Sequence, residues 1–463
     1  MEQKTLSPIN GNVCVTRTLA CEEDIALAID KANKAQKEWQ ATPLKTRKAI
    51  CKQAIENFVA NKAVLAEEIT MMMGRPISYT QGEIMGVEER ALSMIEQSDK
   101  ALETITLPEK KGFSRYIKRV PVGNVLIIAP WNYPYLTAIN AVIPALLAGN
   151  TVILKHSAQT PLCSERLVEA FKGTGIPIGT FQYLHTDHAS TEKLIQNPSI
   201  HYVAFTGSVA GGEMVERNAA GRFIGVGLEL GGKDPAYVRA DANLDDAAET
   251  LVDGAFFNSG QSCCGIERIY VHESVHDAFV EKAVALAKSY QLDDPNHSDT
   301  TLGPMVRTAA ADFVREQVND ALSKGAIPHI DESHFPMSQE GTPYLAPQIL
   351  TNVDHSMSVM TEESFGPVVG VQSVGSDEEA IQLMNDSDFG LTASIFSTDE
   401  ETASQLGEDV QTGTFFVNRC DYLDPQLAWT GVKNSGRGCT LSPIGFEMLT
   451  RPKSFNIKSL GEK

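Results

Sequence analysis

Cys263 closes the stretch Phe257-Asn258-Ser259-Gly260-Gln261-Ser262-Cys263, and Cys264 follows it. These residues are small, polar and glycine-containing, which predicts a turn that presents a sulfur to a substrate. A thiol acts as a nucleophile only with partners: donors for developing negative charge, a base, and an acceptor for what leaves. Asn132, within Pro130-Trp131-Asn132-Tyr133-Pro134, offers an amide that can donate to an oxyanion. Glu229, within Leu228-Glu229-Leu230-Gly231-Gly232, is a carboxylate in an apolar strand. Burial there raises its pKa, as a general base near neutral pH requires. Each of the three has a plainer reading: an inert packed cysteine, a turn asparagine, a paired core glutamate. Cys264 reads as packing inward, because adjacent side chains point in different directions.

An anion site is also legible. Phe205-Thr206-Gly207-Ser208 ends a strand and opens a helix, and a helix N-terminus suits a pyrophosphate. The dinucleotide fingerprint G-x-G-x-x-G is absent: Leu230 follows Gly225-x-Gly227, and Ile178 follows Gly173-x-Gly175. Lys155, at the end of a strand, is a candidate for a ribose hydroxyl. Glu363, in Glu362-Glu363-Ser364-Phe365-Gly366-Pro367, is a further polar candidate.

The elements that must position these residues follow from periodicity. Ile25, Ala28, Ile29, Ala32, Ala35 and Trp39 recur at helical spacing behind Glu22, Glu23 and Asp24, and the first hundred residues read as helices. Beyond them, short apolar strands (Val125 to Ala129, Thr151 to Leu154, Tyr202 to Phe205, Val226 to Leu230) alternate with helices. That alternation predicts an α/β fold with a doubly wound, mainly parallel sheet. A second α/β stretch runs from about Ala236 to Asn418, with strands near Val368 and Phe415. Residues 113–120 and 454–460 alternate as half-exposed strands and could pair as an outlying sheet that joins subunits.

Composition bounds the rest. In 463 residues, 39 Lys and Arg face 59 Asp and Glu, a formal charge of −20. Such a balance disfavours nucleic acid and anionic membranes as partners. No apolar run is long enough to span a bilayer, and Met1 to Gly11 lacks a signal-peptide core, so a cytoplasmic protein is expected. Eight cysteines with no C-x-x-C pair predict neither a disulfide framework nor a metal site.

Taken in order, P-W-N-Y-P, F-T-G-S, L-E-L-G-G, F-F-N-S-G-Q-S-C and E-E-S-F-G-P-V resemble the aldehyde dehydrogenase superfamily over nearly the whole chain. The resemblance implies an NAD(P)-dependent, non-acylating enzyme that oxidises an aldehyde to its acid through a thiohemiacetal and a thioester. Cys263 would be the nucleophile. Asn132 and the Cys263 N–H would form the oxyanion hole, and Glu229 would activate water. Lys155 and Glu363 would hold the riboses, Ser208 with Gly207 the pyrophosphate, and Thr206, Phe365 and Trp131 the nicotinamide. Tyr133, Phe257, Leu423, Trp429 and Arg419 would line the substrate tunnel.

It also implies a Rossmann-type cofactor domain (1–105 and 122–231), a catalytic domain (232–436) and a small β oligomerisation flap (106–121 and 440–463). A homodimer or homotetramer is expected. Two departures bear on chemistry. Ala158 replaces a glutamate that would favour NAD, so NAD and NADP are not ranked. Gly438-Cys439-Thr440 lacks the family's glutamate after G-R.

The tunnel set is aromatic and apolar, so an apolar or aromatic aldehyde is expected. Asn140 and Phe257 stand where succinate semialdehyde dehydrogenases commonly carry arginines. A semialdehyde-acid substrate is the alternative, with Arg419 as its cation. A non-catalytic binding protein on the same scaffold and a cofactor-independent thiol hydrolase are the other readings.

Overall fold

The computed structural model describes residues 1–459. Two twisted, mainly parallel sheets carry the molecule. The first has six strands in the order Gly436–Arg437, Gly225–Glu229, Tyr202–Thr206, Asn124–Ala129, Thr151–His156, Phe181–Tyr183. All pair in parallel except Gly436–Arg437, which runs antiparallel to Leu228 and Glu229. Helices cover both faces. Asn124–Ala129 is accordingly buried at every position and reads as a continuous apolar run rather than an alternation.

From Asn124–Ala129 the chain winds outward to Phe181–Tyr183, then returns to the other side at Tyr202–Thr206. The winding direction therefore reverses between Asn124–Ala129 and Tyr202–Thr206. Crevices that hold ligands form beyond the carboxyl ends of strands at such a reversal. Trp131, Asn132, Gly207 and Ser208 all follow those two ends.

The second sheet has seven strands: Ile327–Pro328, Gln348–Thr351, Val368–Val374, Ile266–His272, Asp234–Val238, Thr392–Phe396 and Thr414–Val417. Only Ile327–Pro328 is antiparallel to its neighbour. Leu230-Gly231-Gly232-Lys233 links the two sheets. A Cβ at Gly231 would collide with the Glu363 carboxylate, and one at Gly232 with the Cys263 carbonyl. The double glycine thus lets the Glu229 strand, the Cys263 turn and the Glu363 turn meet.

The third element is a small sheet in which Phe113–Pro121 pairs antiparallel with Thr450–Lys458, flanked by Ile105–Thr106. One boundary differs from expectation. Residues 440–449 are no strand: they fold back so that Leu441, Phe446 and Leu449 fill the main core, and pairing starts at Thr450. The expected strand also extends to Leu460, which lies outside the described residues.

The N-terminus differs as well. Glu2–Leu6 and Val13–Thr18 form a hairpin ahead of the helices Glu22–Ala41, Leu44–Val59, Lys62–Met73 and Ile77–Ala101. Its polar sequence gave little apolar signal. What seats it is tertiary: Thr5 and Gln3 donate to the Ala158 carbonyl at 2.7 and 3.2 Å. Among the described residues no helix is long and apolar enough to cross a membrane.

Candidate active site

The Cys263 turn is held by its neighbours against its own backbone preference. The helix Leu244–Phe256 ends, and Asn258, Ser259 and Gly260 follow with φ of 54, 57 and 69°. A left-handed residue other than glycine costs about 1 kcal/mol or more. The Asn258 amide offsets this by accepting from Arg75 Nε at 3.0 Å and donating to the Asn132 and Gln261 carbonyls at 3.2 Å each. Ser259 donates to the Gly303 carbonyl at 2.8 Å, and Gln261 accepts from Val306 N–H at 2.7 Å. At Gly260 the Gly366 carbonyl leaves no room for a Cβ. The conspicuous polar residues of this stretch are therefore scaffold, and all of 258–262 are buried.

Cys263 alone emerges from the turn, partly exposed, while Cys264 is buried. The Cys264 Sγ–H donates to Asp421 Oδ1 at 2.9 Å, and Ser262 donates to the same oxygen at 3.2 Å. Contact with Cys263 and burial push the Cys264 thiol well up, so the inner cysteine stays protonated.

Asn132 reaches the turn directly. Its Nδ2 donates to the Gln261 carbonyl, two residues before Cys263, at 3.1 Å. Its own carbonyl accepts from Arg75, whose guanidinium pairs with buried Glu83 and lies 4.5 Å from the centre of the Tyr133 ring. Glu83 in turn accepts from the N–H groups of Tyr135 and Leu136, at the start of the helix Pro134–Leu147. One ion pair so locks the amide strand end to the thiol turn.

Glu229 ends its strand with its carboxylate bonded on both oxygens. Thr206 donates to Oε2 at 3.0 Å, and Thr440 donates to Oε1. Burial raises its pKa, partly countered by these two hydroxyls. Thr440 stands in the segment where a glutamate was expected and missing. The position donates a hydrogen bond to Glu229 instead.

The expected cofactor residues gather beyond the carboxyl ends of the first sheet. Lys155 is half-buried, burial lowers its pKa, and among the described residues it pairs with no carboxylate. Ser208 caps the helix Val209–Ala219 by accepting from Gly211 N–H at 3.3 Å. Trp131 and Phe365 meet edge to face, 5.7 Å between ring centres. Glu363 accepts from Gly232 N–H at 2.9 Å, and burial pushes its pKa up to about 7. Glu267, paired with Lys233, accepts from the N–H groups of Ser364 and Phe365 at 2.8 Å each and so fixes that turn. A helix end, an unpaired ammonium and an acid within one crevice fit a dinucleotide.

The tunnel candidates divide. Leu423 is partly buried against the main core, and Trp429 is buried within that core. Phe257 packs against Tyr79, 5.1 Å between ring centres. Arg419 is exposed and stacks 3.6 Å over Tyr422. It lines a separate cavity of about 670 Å³ with Asp246, Glu249, Asp253 and Asp421.

Sequence reading missed Arg75, Glu83, Arg90 and Thr440. One signal was available: Glu83 and Arg90 fall in the apolar register of Ile84, Val87, Ala91 and Met94 on one helix.

Residues 1–455 match the sequence model of the "Aldehyde dehydrogenase family". The chain belongs to that family, and with it to the oxidoreductases that act on an aldehyde group. It is 32% identical over 442 residues to succinate semialdehyde dehydrogenase [NAD(P)+] Sad of Escherichia coli, covering 95% of each chain. It is 32% identical over 449 residues to succinate-semialdehyde dehydrogenase [NADP(+)] of Deinococcus radiodurans, covering 97% of this chain and 93% of that one. Its fold superposes on NADP-dependent glyceraldehyde-3-phosphate dehydrogenase from Bacillus halodurans, complexed with NADP. The TM-score is 0.93 at 30% identity, over 99% of this chain and 96% of that one. The expected family and the doubly wound α/β fold are both met.

Proposed function

We propose that this protein oxidises an aldehyde bearing a carboxylate at its far end to the dicarboxylic acid, with NAD or NADP. The relatives' names support that cofactor choice and favour the semialdehyde alternative over a purely apolar substrate. The observation that carries the reaction is one half-exposed thiol tied through a buried network to an amide, with a half-buried carboxylate of raised pKa at a strand end of the first sheet.

Cys263 attacks the carbonyl carbon, and the Asn132 amide with the Cys263 N–H holds the developing oxyanion. NAD(P), when bound, supplies a hydride acceptor. Lys155 and Glu363 hold its riboses, Ser208 and Gly207 its pyrophosphate, and Thr206, Trp131 and Phe365 border the nicotinamide. Glu229 then takes a proton from water, which attacks the thioester and frees the acid. Tyr133, Phe257, Leu423 and Trp429 wall the tunnel.

The sheet 124–229 serves as the cofactor-binding body, the sheet 234–417 as the catalytic body, and the outlying sheet as the joint of a homodimer or homotetramer. A metal ion has no part in this chemistry, and neither nucleic acid nor membrane is a partner; the enzyme works in the cytoplasm.

The test is steady-state formation of reduced cofactor with a panel of aldehydes. Turnover with none of them refutes the reading. Cys263→Ser should lower kcat at least about a thousandfold. Glu229→Gln should give a burst of one reduced cofactor per site and then stall; undiminished steady-state turnover would remove Glu229 as the base.

A further inference from the structure

We propose that Arg90 is the cation that binds the far carboxylate of the substrate, an inference that rests on the reaction just described. Arg90 lies on the helix Ile77–Ala101, seven residues beyond Glu83 and so on the same face. Its Nη1 donates at 3.3 Å to the Leu136 carbonyl and to Asn140 Oδ1. Both acceptors belong to the helix Pro134–Leu147, which begins two residues after Asn132. The guanidinium is thus seated behind the oxyanion amide, and its charge is felt at Cys263, Cys264 and Glu229.

Of the buried cations, Arg75 pairs with Glu83 and Lys233 with Glu267, while Arg47 and Arg268 donate to backbone carbonyls. Among the described residues Arg90 has no carboxylate partner within salt-bridge distance. Its Nε and Nη2 meet no protein acceptor, yet the side chain is only partly buried, so these donors remain open to a ligand. The three acids whose charge reaches it are engaged. Glu83 pairs with Arg75. Glu229 accepts from Thr206 and Thr440, and Asp421 accepts from Cys264 and Ser262. Taking a guanidinium even partly out of water without an anion carries a cost. An anionic group entering beside Cys263 would find a planar fork suited to a carboxylate. Arg419 is less fit for the task, since its cavity already holds Asp246, Glu249 and Asp253.

The test compares kcat/KM for succinate semialdehyde with that for butanal, an uncharged aldehyde of the same carbon count. In Arg90→Met the ratio should fall about a hundredfold, the loss typical of removing one partner of a buried hydrogen-bonded charge pair. Arg90→Lys should recover part of it. A ratio unchanged in Arg90→Met overturns the proposal. If Arg90→Met fails to fold by circular dichroism, Asn140→Asp decides: it sets a competing carboxylate against the guanidinium and should lower the same ratio, and an unchanged ratio overturns the proposal. A native enzyme that oxidises butanal but not succinate semialdehyde refutes the role of Arg90 and leaves aldehyde oxidation standing. A native enzyme that oxidises neither refutes the reaction itself.

Discussion

At the scale of single residues, the site separates two cysteines and two acids by environment. Cys263 opens to the crevice, while Cys264 is closed off and bonded to Asp421. Glu229 is raised by burial, and the two hydroxyls it accepts from bring it part of the way back down. Asp421 is the more strained case: burial pushes its pKa up to about 7, against 3.8 for an ordinary aspartate. The sign follows from linkage. The folded protein holds this proton up to about pH 7 and the unfolded chain releases it near 3.8, so the site weakens the fold progressively as pH rises between those values. Asp421→Asn, which keeps the acceptor oxygen, should therefore stabilise the protein more at pH 8 than at pH 5, by about 2–3 kcal/mol. Urea unfolding at the two pH values measures this. An equal effect at both would show that Asp421 ionises normally.

At the scale of elements, the Cys263 turn owes its shape to contacts from outside it. Three consecutive left-handed residues are held by the Asn258 amide, by Arg75 and by the Gly303 carbonyl. Arg75→Met would leave the Glu83 carboxylate buried without its partner. Its expected cost is about 3–5 kcal/mol, together with a loss of turnover larger than the stability loss accounts for. Denaturant unfolding and initial rates, both taken below the unfolding transition, read the two effects separately. A cost under about 1 kcal/mol would mean that the pair is not what holds the turn. The motif was legible in sequence, since glycine and polar residues mark a special backbone. The link between two helices that braces it was not, because Arg75 and Asn258 lie 183 positions apart.

At the scale of the whole molecule, the outlying sheet is its least covered part. Most positions of Thr450–Lys458 are exposed, Ile105 and Ile457 are 46% and 49% exposed, and Tyr116 stacks on Phe455 at 4.7 Å between ring centres. An exposed three-stranded sheet with apolar side chains suits association with a second copy. Phe455→Asp should shift the sedimenting species to a smaller assembly; an unchanged sedimentation coefficient would exclude this sheet as the joint.

The sequence by itself determined the family and the parallel α/β architecture, and it singled out Cys263, Asn132 and Glu229 as candidates. It could do so because each of these sits at a strand end or turn whose local pattern spans only a few residues. Tertiary structure alone decided what surrounds them. Thr440 reaches Glu229 across 211 positions and Arg90 reaches Asn140 across 50. Such contacts depend on how helices and sheets pack, which no short stretch encodes. The residues proposed to carry the reaction are local in origin, and the contacts that hold them in place are brought in by the fold.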